Sequence, residues 1–180
     1  MKFSKLTPGL LLLAPLTSQA ELNFSPYVGV GFEQQQIEIS DTKFENNSLV
    51  LQAGAWLWPG IGFEVELGNS LGDDQVSAIT LEHSQSLRYG VRLASPAEAG
   101  NSVLYVLLSG VASKIDMQTD GNGLPGENSF SGYHAGIGFG TQISPEWLVD
   151  ISYNNYQIDE SFDLSGLRLG LLYTMRGAAQ

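Results

Sequence analysis

Glycine occupies alternate positions in the stretch that reads GYHAGIGFGTQI, at 136, 138 and 140, with a further glycine at 132. The residues between these positions form a second row that is almost wholly apolar: Tyr133, Ala135, Ile137, Phe139. A period of two predicts a β-strand, because a helix needs apolar residues three and four positions apart. A phosphate-binding loop would need the spacing G-x-G-x-x-G followed by a helix, and neither is present.

The same alternation recurs along the chain and predicts eight strands. One row of each strand is apolar, and the other row is rich in glycine and polar residues. The predicted strands are 27–39, 48–58, 61–69, 76–93, 103–117, 133–143, 147–158 and 164–175. Both rows of 103–117 are apolar at first, so the sequence leaves the facing of that strand open.

The glycine-rich row indicates which medium each face meets. In a soluble β-sandwich the second row would be exposed to water and would carry many charged and hydroxyl side chains. Glycine weakens a strand on such a face, but it is useful inside a narrow barrel, where small residues make room for large ones. We therefore predict an all-β fold, an eight-stranded antiparallel up-and-down transmembrane β-barrel with its apolar row outward.

Charged residues lie on the row that this facing places inside the barrel. Buried charges persist when they are paired, and three arginines among three carboxylates permit pairing. We predict an ion-pair network that closes the lumen, with Gln52 and His134 beside it. Its members are Glu64, Glu66, Arg88, Arg92, Asp150 and Arg168. A catalytic carboxylate pair at Glu64 and Glu66 is the alternative, but no partner nucleophile accompanies it.

The N-terminus has the pattern of a secretory signal peptide. Lys2 and Lys5 precede a short apolar run, and the small residues Ser18 and Ala20 form a cleavage site. We expect domain boundaries of 1–20 for the signal peptide and 21–180 for the barrel. The sequence contains no cysteine, which excludes disulfides, thiolate metal sites and lipoprotein processing. Its net charge of -11 argues against a nucleic-acid partner.

Long and short connections alternate between the predicted strands. The short connections read WPGIG, SPAEAGN and SPEW, whereas the others are mostly longer and acidic. This alternation is typical of outer-membrane barrels, which have short periplasmic turns and longer external loops. Aromatic residues near the short turns predict an interfacial girdle on that side of the membrane. Its predicted members are Trp56, Trp58, Phe63, Phe139, Trp147 and Tyr173.

Two segments resemble a known family. GYHAGIGFGTQISPEWLVDISYNNY resembles the penultimate hairpin of small outer-membrane barrels of the OmpA, OmpX and opacity-protein type. RLGLLYTM, from Arg168 to Met175, resembles the signal that the outer-membrane assembly machinery recognises, although Arg176–Gln180 follow it. The resemblance implies an integral protein of the outer membrane of a Gram-negative bacterium, with structural, adhesive or protective roles. It implies outer-membrane lipid and lipopolysaccharide as partners, and leaves the extracellular partner open.

The resemblance includes two kinds of enzyme, and neither constellation is complete here. A lipid A deacylase needs a His-x-Ser pair, which His83 and His134 both lack. His83 could lie near the outer rim with Asp73, Asp74 and Ser84, as in a lipid A palmitoyltransferase, but three such residues in one loop region are common by chance. The loop DGNGLPGEN departs from the calcium-loop spacing. We therefore expect no enzyme, cofactor or metal site; a small outer-membrane pore and a soluble, lipocalin-like periplasmic barrel are the alternatives.

Overall fold

The computed structural model describes most of the chain. The described residues are 24–39, 42–72, 74–76, 79–95, 101–119, 126–159 and 162–175. The predicted signal peptide and the segment after Met175 lie outside them, and so does Asp73. The side chains of His83 and Ser84 also lie outside what the structure describes.

Eight long strands and one short strand make up the regular structure of the described residues. The strands are β1 (Ser25–Ile39), β2 (Thr42–Trp58), β3 (Ile61–Ser70), β4 (Asp74–Val76), β5 (Ile79–Ala94), β6 (Ser102–Thr119), β7 (Gly126–Gln142), β8 (Trp147–Asp159) and β9 (Phe162–Thr174). Strand β4 has three residues and pairs with the start of β5. The described residues contain no helix long and apolar enough to cross a membrane.

The eight long strands form a closed antiparallel barrel. Each pairs with its neighbours in chain order, β3 pairs with β5 past the short β4, and β1 pairs with β9. A closed barrel leaves no strand edge unpaired. Gly60 adopts a positive φ of 77° in the tight turn between β2 and β3, a conformation that glycine adopts without steric cost. The predicted fold class is confirmed.

The two rows of each strand face opposite sides of the barrel wall, as their period of two requires. Valine, leucine, isoleucine and phenylalanine side chains lie on the outside; Val65, Ile137 and Leu169 are examples, with 36%, 60% and 58% of their surface exposed. Glu64 and Arg168, in contrast, are almost completely buried inside. This facing is the reverse of a lipocalin-like barrel, whose apolar row would point inward, so that alternative was wrong.

Strand β6, whose facing the sequence left open, places a mostly apolar row inside. Tyr105, Leu107 and Val111 are buried in the lumen, while Leu104 and Leu108 are exposed on the outside. This inner row lies beside the charged row of β5, and Arg92 lies over the ring of Tyr105, 4.1 Å from its centroid. Apolarity alone could not distinguish the faces of β6.

Several strands extend beyond their predicted ends on the side of the long connections. Strand β2 begins at Thr42 and β7 at Gly126, although the sequence predicted connections there. In β2 the alternation continues, since Phe44 and Asn46 are buried and Glu45 is exposed. The outer row becomes polar in this part. The alternation between apolar and polar residues therefore disappears before the strand does, and the predicted strands were too short at this end.

Candidate functional site

The six charged residues predicted for the lumen all lie on the inner face of the barrel. Glu64 and Glu66 come from β3, Arg88 and Arg92 from β5, Asp150 from β8 and Arg168 from β9. Each is almost completely buried. The period of two places them on one face, because residues two positions apart in a strand point to the same side of the sheet.

The register of β3 and β5 forms the first set of ion pairs. Glu66 is the direct cross-strand partner of Arg88, and Arg88 Nε lies 2.8 Å from Glu66 Oε2. One step nearer the short turns, Arg92 Nε and Nη2 both lie 3.0 Å from Glu64 Oε2. Of these contacts, Arg92 Nε to Glu64 is a charge-assisted hydrogen bond, one of the stronger polar interactions in proteins, and the others are ion pairs.

Arg168 and Asp150 connect this side of the barrel to the opposite wall. Arg168 donates a hydrogen bond from Nη1 to Glu66 Oε1, so Glu66 is held by two arginines. Asp150 Oδ2 lies 3.8 Å from Arg168 Nη2 and 3.9 Å from Arg92 Nη1. The ion pairs therefore cross the lumen instead of following one strand pair.

Glu33 of β1 is a further member of this network, and the sequence reasoning missed it. Its Oε2 lies 3.1 Å from Arg88 Nη2, and its Oε1 accepts a hydrogen bond of 3.2 Å from Asn154 Nδ2. Gly29 and Gly31 occupy the same row as Glu33, so continuing their period of two would have placed it inside. The following glutamines, from Gln34 to Gln36, hid that signal because both rows are polar there.

Three tyrosines, also missed, donate hydrogen bonds to three of the four buried carboxylates. The Tyr27 hydroxyl donates to Glu64 Oε2 at 2.8 Å. Tyr105 donates to Asp150, and Tyr156 donates to Glu33. Aromatic character did not reveal their position, because aromatic side chains also suit the lipid-facing row. Their odd or even position along each strand is the signal that could have placed them inside.

The glycines of the inner row lie where these large side chains need space. A Cβ atom on Gly138 would lie 2.3 Å from Cζ of Tyr105, and one on Gly170 would lie 2.1 Å from Oδ1 of Asp150. Contacts this short do not occur between real atoms, so alanine at either position would force its neighbour to move. This geometry supports the prediction that the alternating glycines make room for large side chains inside the barrel.

Gln52 and His134, expected beside the network, are both buried inside the barrel. His134 Nε2 lies 3.1 Å from Asn154 Oδ1, and its ring packs on Tyr156 with centroids 4.8 Å apart. His134 thus joins the network through Asn154, which also binds Glu33.

The arrangement is suited to closing the lumen. Within the described part of the chain, four buried carboxylates face three buried guanidinium groups, and each carboxylate contacts at least one of them. Glu64 and Glu66, the alternative catalytic pair, both contact arginines. No group of three histidine, aspartate or glutamate residues able to hold a metal ion occurs among the described residues.

Five of the six residues predicted for the aromatic girdle have exposed side chains near the short turns. They are Trp58, Phe63, Phe139, Trp147 and Tyr173. Trp56 differs, because it lies on the inner row and its ring contacts Tyr27 at a centroid distance of 5.9 Å. A β-bulge between Trp56 and Trp58 shifts the register with β3, so these two tryptophans do not continue one face. Trp56 was therefore wrongly assigned to the girdle.

Known structures share the fold. Ail, the attachment invasion locus protein of Yersinia pestis, solved in complex with the heparin analogue sucrose octasulfate, has a TM-score of 0.64 and 16% identity, covering 85% of this chain and 99% of Ail. Neisserial surface protein A has a TM-score of 0.62 and 14% identity, covering 83% of this chain and 97% of that protein. OprG from Pseudomonas aeruginosa has a TM-score of 0.55 and 9% identity, covering 85% and 97%.

At these identities the similarity concerns the fold alone. No curated protein matches the chain significantly. The family model for the outer membrane protein beta-barrel domain matches residues 8–174, which is nearly the whole chain. The chain therefore belongs to the family of outer-membrane β-barrel domain proteins.

Proposed function

We propose that this chain is a non-enzymatic, integral outer-membrane protein of a Gram-negative bacterium, exported with a cleaved signal peptide. Its barrel anchors it in the membrane, and its external connections meet the environment or a partner. The observation that carries the proposal is the inverted facing of the barrel wall, with large apolar side chains outside and buried charges inside.

The outer surface fits a lipid environment better than water. The exposed apolar side chains belong to all eight long strands and form a continuous band. Soluble monomers rarely expose contiguous apolar patches larger than a few hundred Å². Acyl chains would cover this band, and aromatic side chains such as Trp147 and Tyr173, whose rings pack 5.0 Å apart, suit its interface with water.

The lumen network supports a closed barrel over an open pore. Eight strands leave an interior just wide enough for side chains to fill. The ion pairs of Arg88 reach β1 as well as β3, and those of Arg168 reach β3 and β8, so they cross the interior in several directions. An ion moving through the lumen would have to displace them.

A surface role is supported by the family and by the ends of the strands. Ail is named as an attachment invasion locus protein, and Neisserial surface protein A as a surface protein. The strands of this barrel continue past the apolar band on the side of the long connections, where the outer row becomes polar. We propose outer-membrane lipid and lipopolysaccharide as its surroundings, and the assembly machinery as the partner that reads the segment from Arg168 to Met175.

Membrane fractionation tests the anchoring role. The full chain is expressed in a Gram-negative host, and its membranes are washed with sodium carbonate and then extracted with detergent. We expect retention until detergent is added, a shift in gel mobility on heating, and a mature N-terminus at Glu21 by mass spectrometry. Release by carbonate would contradict the proposal.

Planar bilayer recording separates the closed barrel from the pore. The purified protein is reconstituted alongside an Arg88→Met and Arg168→Met double variant, which removes two of the three arginines from the lumen. We expect no steady conductance from the unmodified protein. A steady conductance from it would favour the pore instead.

A further inference from the structure

The lumen opens into a bowl at the end of the barrel that carries the short turns. Its floor includes Trp56, Val103 and Leu148, three half-buried residues of the inner row. Its volume is about 370 Å³, within the range of roughly 300–1,000 Å³ that is typical of sites for small molecules. Polar residues lie around its rim: Ser25, Asn101, Ser102, Gln142 and Thr174.

A buried layer separates this bowl from the charged network. Tyr27, Tyr105 and Leu172 lie one inner-row step farther into the lumen and are almost completely buried. The hydroxyl groups of the two tyrosines donate to Glu64 and Asp150 of the network. Among the described residues, no charged side chain lines the bowl itself. A ligand with a net charge would therefore find no opposite charge here.

Backbone hydrogen bonds join the short turns around the rim. Gln142 N donates to Asn101 O at 2.6 Å, and Thr174 N donates to Glu146 O at 2.8 Å. Strand addition needs main-chain groups that are still available for pairing. Because these rim groups already bond to one another, an occupant of the bowl must be held by side chains instead.

The floor and the rim offer an indole ring and two carboxamides. Gly62 leaves room for the ring of Trp56, since an added Cβ would lie 3.1 Å from its Cε3. Tryptophan combines a flat apolar surface with an N–H donor. Asn101 and Gln142 are exposed, and within the described part of the chain their side-chain amides make no hydrogen bond. The bowl therefore suits an uncharged ligand with a flat apolar face and groups that bond to amides.

An N-acetylated sugar ring has this combination of properties. One face of the ring presents C–H groups, its hydroxyl groups are uncharged, and its acetamido group can donate to and accept from a carboxamide. The short turns mark the periplasmic side of the barrel. The cell wall on that side contains glycan strands built from N-acetylated sugars.

We propose that the bowl binds the glycan of the peptidoglycan layer. The terminal N-acetylated sugar of a strand stacks on Trp56, and Asn101 and Gln142 bond to its acetamido and hydroxyl groups. This inference rests on the proposed function, because it requires the short turns to face the periplasm.

Ligand-observed NMR titration of the purified full chain in detergent micelles tests this site. The probe is triacetylchitotriose, a neutral trisaccharide of N-acetylglucosamine, and maltotriose is the comparison without acetamido groups. Trp56→Leu removes the stacking ring but keeps apolar bulk, and Asn101→Ala removes a carboxamide. Their matched controls are Trp147→Leu and Asn155→Ala, at exposed positions outside the bowl. Heat-dependent gel mobility identifies the variants that form the barrel.

We expect the unmodified protein to bind triacetylchitotriose more tightly than maltotriose. Each bowl variant should bind the acetylated probe about tenfold more weakly, which corresponds to roughly 1.4 kcal/mol, and the controls should bind it normally. Asn101→Ala should also reduce the preference for the acetylated sugar, whereas Trp56→Leu should weaken the binding of both sugars. A general loss of structure would not produce this difference.

Co-sedimentation with purified peptidoglycan sacculi tests the source of the sugar. The unmodified protein should sediment with sacculi, and an excess of triacetylchitotriose should release it. Binding of the trisaccharide without sedimentation would overturn the inference, because the occupant would not be the cell wall. Equal binding by the bowl variants and their controls would also overturn it. So would binding that appears only after residues 176–180 are deleted, because the occupant would then be the chain's own segment.

Carbonate washing of membranes that contain the unmodified protein separates the two proposals. If the protein is released, the membrane role fails. If it is retained until detergent is added but does not bind the trisaccharide, only this site fails.

Discussion

Replacing Arg88 by methionine should destabilise the barrel strongly, because it removes a cation that two buried carboxylates share. Methionine keeps an unbranched, flexible stem that reaches about as far as Nε of arginine, without the charge. The substitution removes the contacts of 2.8 Å to Glu66 and 3.1 Å to Glu33. Breaking a buried ion pair by removing one partner costs about 3–5 kcal/mol. Glu66 retains Arg168, and Glu33 retains Tyr156, so we expect a value inside that range instead of a larger one.

The free energy of unfolding is measured by urea titration of the protein in lipid vesicles, followed by tryptophan fluorescence. The matched control is Lys43→Met, which removes the cation of an exposed ion pair with an N–O distance of 3.6 Å. Exposed pairs typically contribute up to about 1 kcal/mol. If Arg88→Met costs no more than Lys43→Met, the lumen network does not stabilise the barrel and the reasoning is refuted.

A double variant tests whether charge balance is the cause. Arg88→Met leaves four carboxylates against two arginines in the described lumen, and adding Glu33→Gln restores the original excess of one carboxylate. The double variant should therefore be more stable than Arg88→Met alone, by about 1–3 kcal/mol, the penalty for one unsatisfied buried group. Equal or lower stability would indicate that packing, not charge, dominates at this position.

Two pairs of substitutions, each a test and its control, examine the inner and outer faces of the wall by the same titration. Gly90→Ala should cost about 1–3 kcal/mol, since its Cβ would lie 2.2 Å from the backbone oxygen of Leu108, whereas Gly72→Ala meets no atom within 4 Å and should be neutral. Equal effects would show that the lumen has room to spare. Ile137→Arg, within the apolar band, should cost about 2–4 kcal/mol, and Gln34→Arg, where the outer row is polar, about 0–1 kcal/mol. A tolerated arginine at position 137 would place that face outside the lipid.

The facing of most strands could be predicted because a strand has only two faces. Once Gly138 was assigned to the lumen, parity placed Ile137 outside, and the same holds for Glu64 and Val65. Parity failed where both rows have the same polarity. In β6 both rows are apolar, and around Gln34 both are polar, which is why Glu33 escaped notice.

The partners of each charge could not be predicted, because they depend on distances across the lumen. Glu66 and Arg88 meet as cross-strand neighbours, but Glu33 reaches Arg88 from a strand that pairs with neither β3 nor β5. Trp56 was misassigned because aromatic residues near the short turns were grouped without regard to parity, which places Trp56 inside with Gln52. The bulge turns Trp58, not Trp56, to the outside.

The facing of the wall in a membrane can be measured directly, because the chain has no cysteine of its own. Single-cysteine variants Ile151→Cys, Ser152→Cys and Tyr153→Cys are spin-labelled and reconstituted in lipid vesicles, and relaxation by molecular oxygen is recorded. Oxygen is concentrated among acyl chains, so labels at 151 and 153 should relax fast and the label at 152 slowly. The opposite alternation, or three equal rates, would contradict a barrel whose apolar side contacts lipid and whose charges are enclosed.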